Sequence, residues 1–471
     1  MCPQESHDRS VTACYNTRPQ SNASSSRPST PSTMVAQTRG GGTADTTASK
    51  KLQFKDKLVG SKNTDVLLKK LQGLQKELSD MDQERVDVKS LSTVKKELIN
   101  VQILMHKDKG VKAFVPCCLA DILRLSAPDA PYTSDELQDI FQFVFRQLLN
   151  GLKGTKSPYY NQYFHLLESL ATVKSVVIVC DLPRADEIMS EIFDTLFKLV
   201  TNSLPRNTEI CMAEILTALI DEAQTLPHGV LETIMNQFKE KNARMDNPAY
   251  RLVVEVCNGA VDKLKRYVCQ YFTDTIVQHS KDDDFSEIRV VHDLIAKIHH
   301  DCPKLLHNVV PQLDEELKVS EIEVRLLATQ VLGEMFSDKG GTDLAKQYPQ
   351  VWDTWRGRSN DRASQVRIAF VEASKGIIAT HPELRGKVEG MLSADPSSQL
   401  MFILFSWSVE ALNIRLMDPD DKVRAITCKL YSQLDYETAL HHVSVDQLRT
   451  LAGRCLDRKV CSGVYSALLC F

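Results

Sequence analysis

Residues 106–137 read HKDKGVKAFVPCCLADILRLSAPDAPYTSDEL and decide how the chain around them folds. Apolar side chains in the first part recur at spacings of three and four residues, which predicts one buried face of an α-helix. The residues of this face are Phe114, Cys118, Ile122 and Leu125. The prolines that follow end this helix, because each fixes φ, lacks an amide donor and disfavours the helical conformation in the residue before it.

A second helix is predicted to begin directly after the prolines. Thr133 is followed three residues later by Glu136, which is the capping-box pattern of a helix N-terminus. A rigid extended connection between two helices is therefore expected. Its five residues, called the elbow below, are Ala127, Pro128, Asp129, Ala130 and Pro131, and Tyr132 adjoins them.

The composition is that of a soluble globular protein. Of the 471 residues, 43% are hydrophobic and 25% are charged. The formal net charge of −4 argues against a strong nucleic-acid surface, which is usually basic. No stretch reaches the roughly 18 apolar residues of a membrane span. Residues 1–50 are rich in Ser and Thr and almost without bulky apolar side chains, so a disordered tail is predicted there.

Helical periodicity continues from residue 64 almost without interruption. Leucines at 67, 71, 74 and 78 form one stripe, and Leu91, Val94, Leu98 and Val101 form another. The run at 173–180 is β-branched, but its helical neighbours favour a helix end or an extended link over a strand. Helices separated by short loops predict an all-α array. The further predicted helices are near 134–151, 157–173, 185–203, 208–223, 229–240, 247–279, 285–299, 303–317, 321–336, 362–380 and 384–392.

A short motif repeats along the array. An acidic turn is followed by Val and a basic residue at 111–112, 324–325, 366–367 and 423–424. The valine is expected to enter the core, and the arginine to pair with an acidic turn of its own or the neighbouring repeat. Arg325 and Arg367 are 42 residues apart, within the ~40–47 residues of a HEAT repeat. The fold class predicted over 51–396 is therefore an α-solenoid of HEAT-like helical repeats.

Two segments depart from this pattern. Arg367 and Arg424 are 57 residues apart, and the excess falls on the apolar stretch SSQLMFILFSWSVEALN at 397–413. That stretch is interpreted as an insert that is not native to the fold, with a further repeat at 414–459. Residues 460–471 also abandon the pattern and are interpreted as an aberrant end.

No catalytic or metal-binding motif emerges. There is no Gly-x-Ser-x-Gly, His-Glu-x-x-His or dinucleotide glycine fingerprint. His299, His300 and Asp301 are consecutive and point to different faces, so they are interpreted as a helix C-terminus. Basic side chains cluster early in the fold, where they are either solvated or contact a polyanion. The candidates for polyanion contact are Lys69, Lys70, Lys107, Lys109 and Lys112.

The stretches HKDKGVK, CCLADILRL and APDAPYT together resemble the precocious-dissociation-of-sisters family of cohesin-associated HEAT-repeat proteins. The resemblance extends through TKSPYYNQYFHLLESLATVKS at 155–175 and LMDPDDKVRAITCKLYSQLDYETALHHVSVDQLRTLAGRCLDRK at 416–459. Members of this family are longer, so the chain corresponds to an amino-terminal part. The resemblance implies a non-catalytic regulator of sister chromatid cohesion in the nucleus, associated with chromatin indirectly and without sequence-specific nucleic-acid binding.

The resemblance also implies partners and a site. The partners are the cohesin kleisin subunit, Wapl and the cohesin acetyltransferase. The elbow, with Tyr132, would dock short motifs of such regulators built around aromatic-Ser-Arg, and the simpler interpretation is a structural turn. Inositol hexakisphosphate is the only ligand that the resemblance suggests, and no cofactor is expected. Without the resemblance, the alternative is a HEAT-repeat adaptor of another class, such as a transport receptor or a phosphatase scaffold.

Overall fold

The computed structural model describes residues 50–61, 63–239, 244–279, 285–380, 411–434 and 443–454. The predicted tail, apart from Lys50, lies outside these residues. So do the helix predicted at 384–392, residues 397–410 of the proposed insert, and the end at 460–471. The last three residues of the proposed insert, 411–413, are described; they are helical, and Leu412 is buried.

The described residues form α-helices joined by short connections. Five 3-10 helices lie between them, at Gln83–Arg85, Val88–Leu91, Ser175–Asp181, Pro303–Leu306 and Arg358–Asn360. Residues 411–415 are also helical. The α-helices are α1 (Thr64–Ser79), α2 (Ser92–Leu98), α3 (Val101–Leu104), α4 (Lys109–Ser126), α5 (Ser134–Gly151), α6 (Tyr160–Val173), α7 (Ala185–Leu199), α8 (Arg206–Glu222), α9 (His228–Lys239), α10 (Pro248–Gly259), α11 (Val261–His279), α12 (Ser286–Asp301), α13 (Val310–Glu316), α14 (Ile322–Ser337), α15 (Gly341–Gln347), α16 (Pro349–Gly357), α17 (Ser364–Thr380), α18 (Asp421–Ser432) and α19 (Val445–Arg454).

The helices stack in two layers. In the first half, α1, α4, α6, α8 and α10 pack against one another in that order, and α5, α7 and α9 form a second row beside them. In the second half, α12, α14, α17 and α18 continue the stacking. Each helix buries one apolar stripe between the layers, as Leu67, Leu71, Leu74 and Leu78 do in α1. The all-α solenoid predicted from the sequence is confirmed.

The repeated Val-Arg motif builds the joints between stacked repeats. Its four valines are buried, as predicted. Arg325 forms two hydrogen bonds with the carboxylate of Asp361, at 3.0 and 3.1 Å. Arg367 does the same with Asp418 of the next repeat, at 2.9 and 2.8 Å. Lys112 forms no such pair among the described residues.

Several predicted helix bounds are wrong. The single helix predicted at 247–279 is two helices, α10 and α11, with Ala260 between them. The one predicted at 303–317 is a 3-10 turn followed by the short α13. Residues 173–180 fall mostly in a 3-10 helix, Ser175–Asp181, and not in a strand. Val101 begins a separate short helix and is 71% exposed, so it does not continue the stripe of α2.

The helix before the elbow is continuous through Pro116.

Within the described residues, no single helix has the length and apolar composition to cross a membrane. One pair, α6 with the 3-10 helix after it, meets that test only together and is bent by 65°.

Candidate functional site

The elbow leaves the end of α4 as a tight turn. The Ala127–Pro128 peptide bond is cis, and the Asp129 amide donates to the Ser126 carbonyl at 3.1 Å. This differs from the extended connection predicted from the prolines, because the hydrogen bond between residues 126 and 129 closes a turn. The first four residues of the elbow, 127–130, are exposed, and Pro131 is half-buried. The elbow therefore presents backbone and side chains to solvent.

Neighbouring elements fix the position of the elbow. Arg124, in the last turn of α4, donates to the Leu78 carbonyl at 2.8 Å and the Met81 carbonyl at 3.0 Å. It also pairs with Asp121 at 3.1 Å. The Gln83 amide donates to the Ala127 carbonyl at 3.0 Å. The contacts with Leu78, Met81 and Gln83 join residues 43 to 46 positions apart, so the sequence around the elbow carries no signal for them.

Tyr132 anchors the far end of the elbow. Its side chain is only 7% exposed, and its hydroxyl donates to the Lys95 carbonyl at 3.4 Å. The Lys95 ammonium lies 5.5 Å from the centre of the ring. Burial, with a smaller contribution from Glu136, raises the pKa of the tyrosine. Tyr132 was predicted beside the docking residues, but its burial means that it supports the elbow and offers little surface to a partner.

Asp129 has the environment that a docking residue needs. It is exposed, and its carboxylate has no hydrogen-bond or ion-pair partner within the described part of the chain. A structural turn would use this carboxylate to satisfy nearby amides. Asp87 and Asp108 do so elsewhere in the chain, where they accept from amides two residues on. The free carboxylate of Asp129 can instead accept a charge-assisted hydrogen bond from a cationic partner.

The helix after the elbow is held by the predicted capping box. The Glu136 amide donates to the Thr133 hydroxyl at 3.4 Å, and the Thr133 amide donates to the Glu136 carboxylate at 2.9 Å. Two of the amides at the start of α5 are thus satisfied. The cap and the buried Tyr132 together fix one end of the elbow, and Arg124 and Gln83 fix the other.

The candidate polyanion residues lie on α1, on α4 and just before α4. The starts of α1 and α4 meet closely: a Cβ on Gly110 would fall 2.8 Å from Leu68 and from the Tyr159 hydroxyl. Lys69, Lys107 and Lys109 are exposed, and Lys70 and Lys112 are half-buried. The Lys70 ammonium already donates to the Lys57 carbonyl at 2.9 Å. Both lysine clusters thus lie near the adjoining starts of α1 and α4, whereas the elbow lies at the other ends of these two helices.

Catalytic or metal chemistry finds no further support in the geometry. No group of three or more His, Cys, Asp or Glu side chains among the described residues could hold a metal ion. His299 and His300 lie in the last turn of α12, as predicted.

Comparison with known proteins decides the family. The model of the family described as "Sister chromatid cohesion protein PDS5 protein" matches residues 65–461, which is most of the chain. The chain belongs to this family. The PDS5 membership supports the resemblance inferred from the sequence and removes the alternative of an adaptor from another HEAT-repeat class.

Individual PDS5 proteins are also similar to this chain in sequence. Sister chromatid cohesion protein pds5 of Schizosaccharomyces pombe is 33% identical over 428 residues, covering 87% of this chain and 34% of that protein. PDS5 homolog A of Homo sapiens is 33% identical over 364 residues, covering 77% of this chain and 25% of that protein. The chain therefore spans about a third of the first relative and a quarter of the second.

The fold is also similar to that of a solved Pds5 structure. The solved structure of a Pds5–Scc1 complex superposes with a TM-score of 0.75 at 24% identity. The match covers 90% of this chain and 63% of that one. At this identity the match establishes the solenoid fold.

Proposed function

We propose that this chain is a non-catalytic scaffold that associates with cohesin and regulates sister chromatid cohesion. Its membership in the PDS5 family carries this proposal, since the relatives are named for cohesion. The stacked helices offer long side-by-side surfaces for peptide segments and no assembled catalytic centre among the described residues. The proposed location is the nucleus, on chromosomes.

The kleisin subunit is the first proposed partner. The related solved structure is of a complex between Pds5 and Scc1. The present chain shares that fold over 90% of its length. We infer that it contributes to a kleisin-binding surface.

The elbow is the proposed site for regulators such as Wapl and the cohesin acetyltransferase. The exposed, unpaired Asp129 carboxylate is the observation that supports it, because it matches the guanidinium of an aromatic-Ser-Arg motif. Both ends of the elbow are fixed by hydrogen bonds, and two prolines restrict its backbone. Docking would therefore cost little conformational entropy.

A polyanion is the proposed ligand at the opposite end of α4. Lys69, Lys107 and Lys109 are exposed near the starts of α1 and α4, where the helix dipoles add positive potential. Inositol hexakisphosphate is the candidate implied by the family resemblance.

The elbow proposal is tested with a fluorescent peptide that carries an aromatic-Ser-Arg motif. The full chain should bind the peptide saturably, and Asp129→Asn should weaken binding about tenfold or more, the equivalent of one charge-assisted hydrogen bond. Asp56→Asn is the matched control, because Asp56 is also an exposed loop carboxylate but precedes α1. It should leave the affinity within about twofold.

The circular dichroism spectrum separates docking from folding. Asp129 has no side-chain partner to lose among the described residues, so the helical signal and the melting temperature of Asp129→Asn should match those of the parent. Equal peptide affinity of parent and Asp129→Asn would reject the elbow as the site. It would leave the cohesin association open, which a pull-down with the kleisin tests separately.

A further inference from the structure

The loop between α5 and α6, residues 152–159, carries a Ser-Pro dipeptide whose serine hydroxyl makes no structural contact. Ser157 is half-buried, and its hydroxyl has no hydrogen-bond partner among the described residues. Pro158 after it is exposed. Three further side chains of the loop are exposed as well, those of Lys153, Thr155 and Lys156. A hydroxyl that no structural contact occupies is available for chemical modification.

Two backbone hydrogen bonds close this loop locally. The Ser157 amide donates to the Gly154 carbonyl at 2.9 Å, and the Tyr160 amide donates to the Ser157 carbonyl at 3.1 Å. Both join residues three apart, so opening the loop breaks few contacts and costs little free energy. A protein kinase receives its substrate as an extended segment, and this loop can reach that conformation without the unfolding of α5 or α6.

Pro158 restricts the class of kinase. Proline has a fixed φ and no amide donor, so a substrate pocket without an acceptor at the position after the serine favours it over other residues. Such a pocket is typical of proline-directed Ser/Thr kinases. The chain has one other dipeptide of this kind, Thr30 followed by Pro31.

Tyr159 fixes the end of the loop beside the start of α4. Its φ is 62°, which is uncommon for a bulky residue and persists where the surroundings hold the backbone in place. Its ring packs edge-on against Phe114, with the ring centres 6.2 Å apart. A Cβ on Gly110 would fall 2.8 Å from its hydroxyl. Ser157, two residues before Tyr159, therefore lies close to the lysines at the start of α4.

The surroundings of Ser157 favour a negative charge. The N-cap residue of α6 is Tyr159, which makes no side-chain hydrogen bond to the first amides, and the first turn of α6 has no acidic residue. The start of α4, by contrast, is capped by Asp108. An anion near a helix N-terminus is stabilised by the helix dipole. Four nearby ammonium groups have no hydrogen bond or ion pair within the described part of the chain, those of Lys107, Lys109, Lys153 and Lys156.

We propose that Ser157 is phosphorylated by a proline-directed protein kinase, and that the phosphate weakens polyanion binding at the lysines near the starts of α1 and α4. The Ser157 hydroxyl oxygen attacks the γ-phosphorus of ATP, the bond from that phosphorus to ADP breaks, and the hydroxyl proton passes to a base of the kinase. The phosphate adds about two negative charges near Lys107 and Lys109. It reduces the positive potential that a polyanion meets. The regulation rests on the polyanion site proposed above, whereas the modification does not.

The modification is tested on the full chain with a cyclin-dependent kinase and magnesium ATP, followed by mass spectrometry of the intact protein and of its peptides. Two phosphates are expected, at Thr30 and Ser157, and Thr30 is the internal control for an active kinase. Ser157→Ala should retain only the phosphate at Thr30. So should Pro158→Ala, which keeps the hydroxyl but removes the proline, and an unchanged circular dichroism spectrum shows that this variant is folded. Phosphate at Thr30 without phosphate at Ser157, or equal phosphorylation of Ser157 in the parent and in Pro158→Ala, would overturn the proposal.

Calorimetric titration with inositol hexakisphosphate at low salt tests the regulation. Phosphorylation of the parent should weaken the affinity about fivefold or more. The matched control is Ser157→Ala treated with the same kinase, which gains only the phosphate at Thr30 and should change its affinity less than about twofold. An equal change in both proteins, or no change in either, would overturn the regulation. No binding by the untreated parent would reject the polyanion site itself and with it the regulation, but not the modification.

Discussion

Asp129 and Tyr132 lie three residues apart and have different roles at the elbow. The carboxylate is exposed and unpaired, whereas the tyrosine ring is buried against Lys95. Burying the aromatic ring contributes stability in proportion to the apolar area removed from water. The exposed part of the elbow can therefore remain fixed without using the side chain that would meet a partner.

The protonation of His292 is controlled by its position in the fold. It is buried, and both ring nitrogens face acceptors: the Ile288 carbonyl at 2.8 Å and the Glu316 carboxylate at 2.7 Å. The charged imidazolium form has a hydrogen on both nitrogens and can donate both of these bonds. Burial opposes the charge, but Glu316, the Ile288 carbonyl and the nearby Asp293 outweigh it and raise the pKa of His292.

This environment predicts a pH-dependent stability. Because the folded pKa is raised, the stabilisation is full below the ordinary value of 6.5 and is lost as the pH rises through the folded pKa. The difference in melting temperature between the parent and His292→Gln should therefore shrink as the pH rises above about 6.5. His228→Gln is the control, since that side chain is 84% exposed, and its difference should stay small throughout. A constant difference for His292→Gln would contradict a charged ring.

At the scale of elements, the sequence predicts helices best where the capping signals are strong. The bounds predicted for α5, 134–151, are those observed, because Thr133 and Glu136 define its start locally. Capping is a local interaction between residues three apart, so no knowledge of the rest of the fold is needed.

The elements that were missed depend on distant packing. The helix α15 follows Gly340, and α16 begins at Pro349. Both residues are common in loops, yet α16 buries Trp352 and Trp355 against Phe336 of α14. The break between α10 and α11 is an exception, because it directly follows Asn258 and Gly259, a local helix-ending signal that the prediction of one helix over 247–279 overlooked. In the elbow, the prolines predicted the end of α4, but the turn, its support by Gln83 and Arg124, and the burial of Tyr132 depend on residues far away in the chain.

The capping box gives a test at this scale. Thr133→Ala removes the hydroxyl that accepts from the Glu136 amide and should lower the free energy of unfolding by about 1 kcal/mol. Thr133→Ser keeps the hydroxyl and should cost much less. Urea denaturation of the three proteins measures both changes. Equal losses in the two variants would show that the cap does not stabilise α5.

Over the whole molecule, buried arginines connect repeats that contact only their neighbours. Arg325 and Arg367 make the same set of contacts. In each, Nε and Nη2 donate to the carboxylate of the next acidic turn. The Nη1 of each donates to the carbonyls five and six residues before it. Arg251 also donates through Nη1 to two preceding carbonyls, those of Met245 and Asp246. Its carboxylate partner differs, because it is Glu209 of the preceding repeat. Tyr250 stands there in place of valine, so the Val-Arg pattern missed this joint.

The effects of two joints on the free energy of unfolding should be coupled only where the joints share a residue. Asp361 accepts from Arg325 through its carboxylate and from Arg367 through its carbonyl, at 2.7 Å. Arg325→Lys and Arg367→Lys lose the paired geometry and should each cost about 1.5–3 kcal/mol. Their combined cost should differ from the sum by more than about 0.5 kcal/mol, because a shift of Asp361 in one variant already weakens the other joint.

Arg251→Lys provides the comparison, because its joint with Glu209 shares no residue with that of Arg367. In a solenoid each repeat contacts only its neighbours, so effects of distant joints should add. Arg251→Lys combined with Arg367→Lys should therefore be additive within about 0.5 kcal/mol. Urea unfolding followed by tryptophan fluorescence, to which Trp352 and Trp355 beside α14 and α17 contribute, measures the near pair, and circular dichroism measures both. Additivity of the near pair, or coupling of the distant pair, would show that stability is not transmitted from repeat to repeat through Asp361.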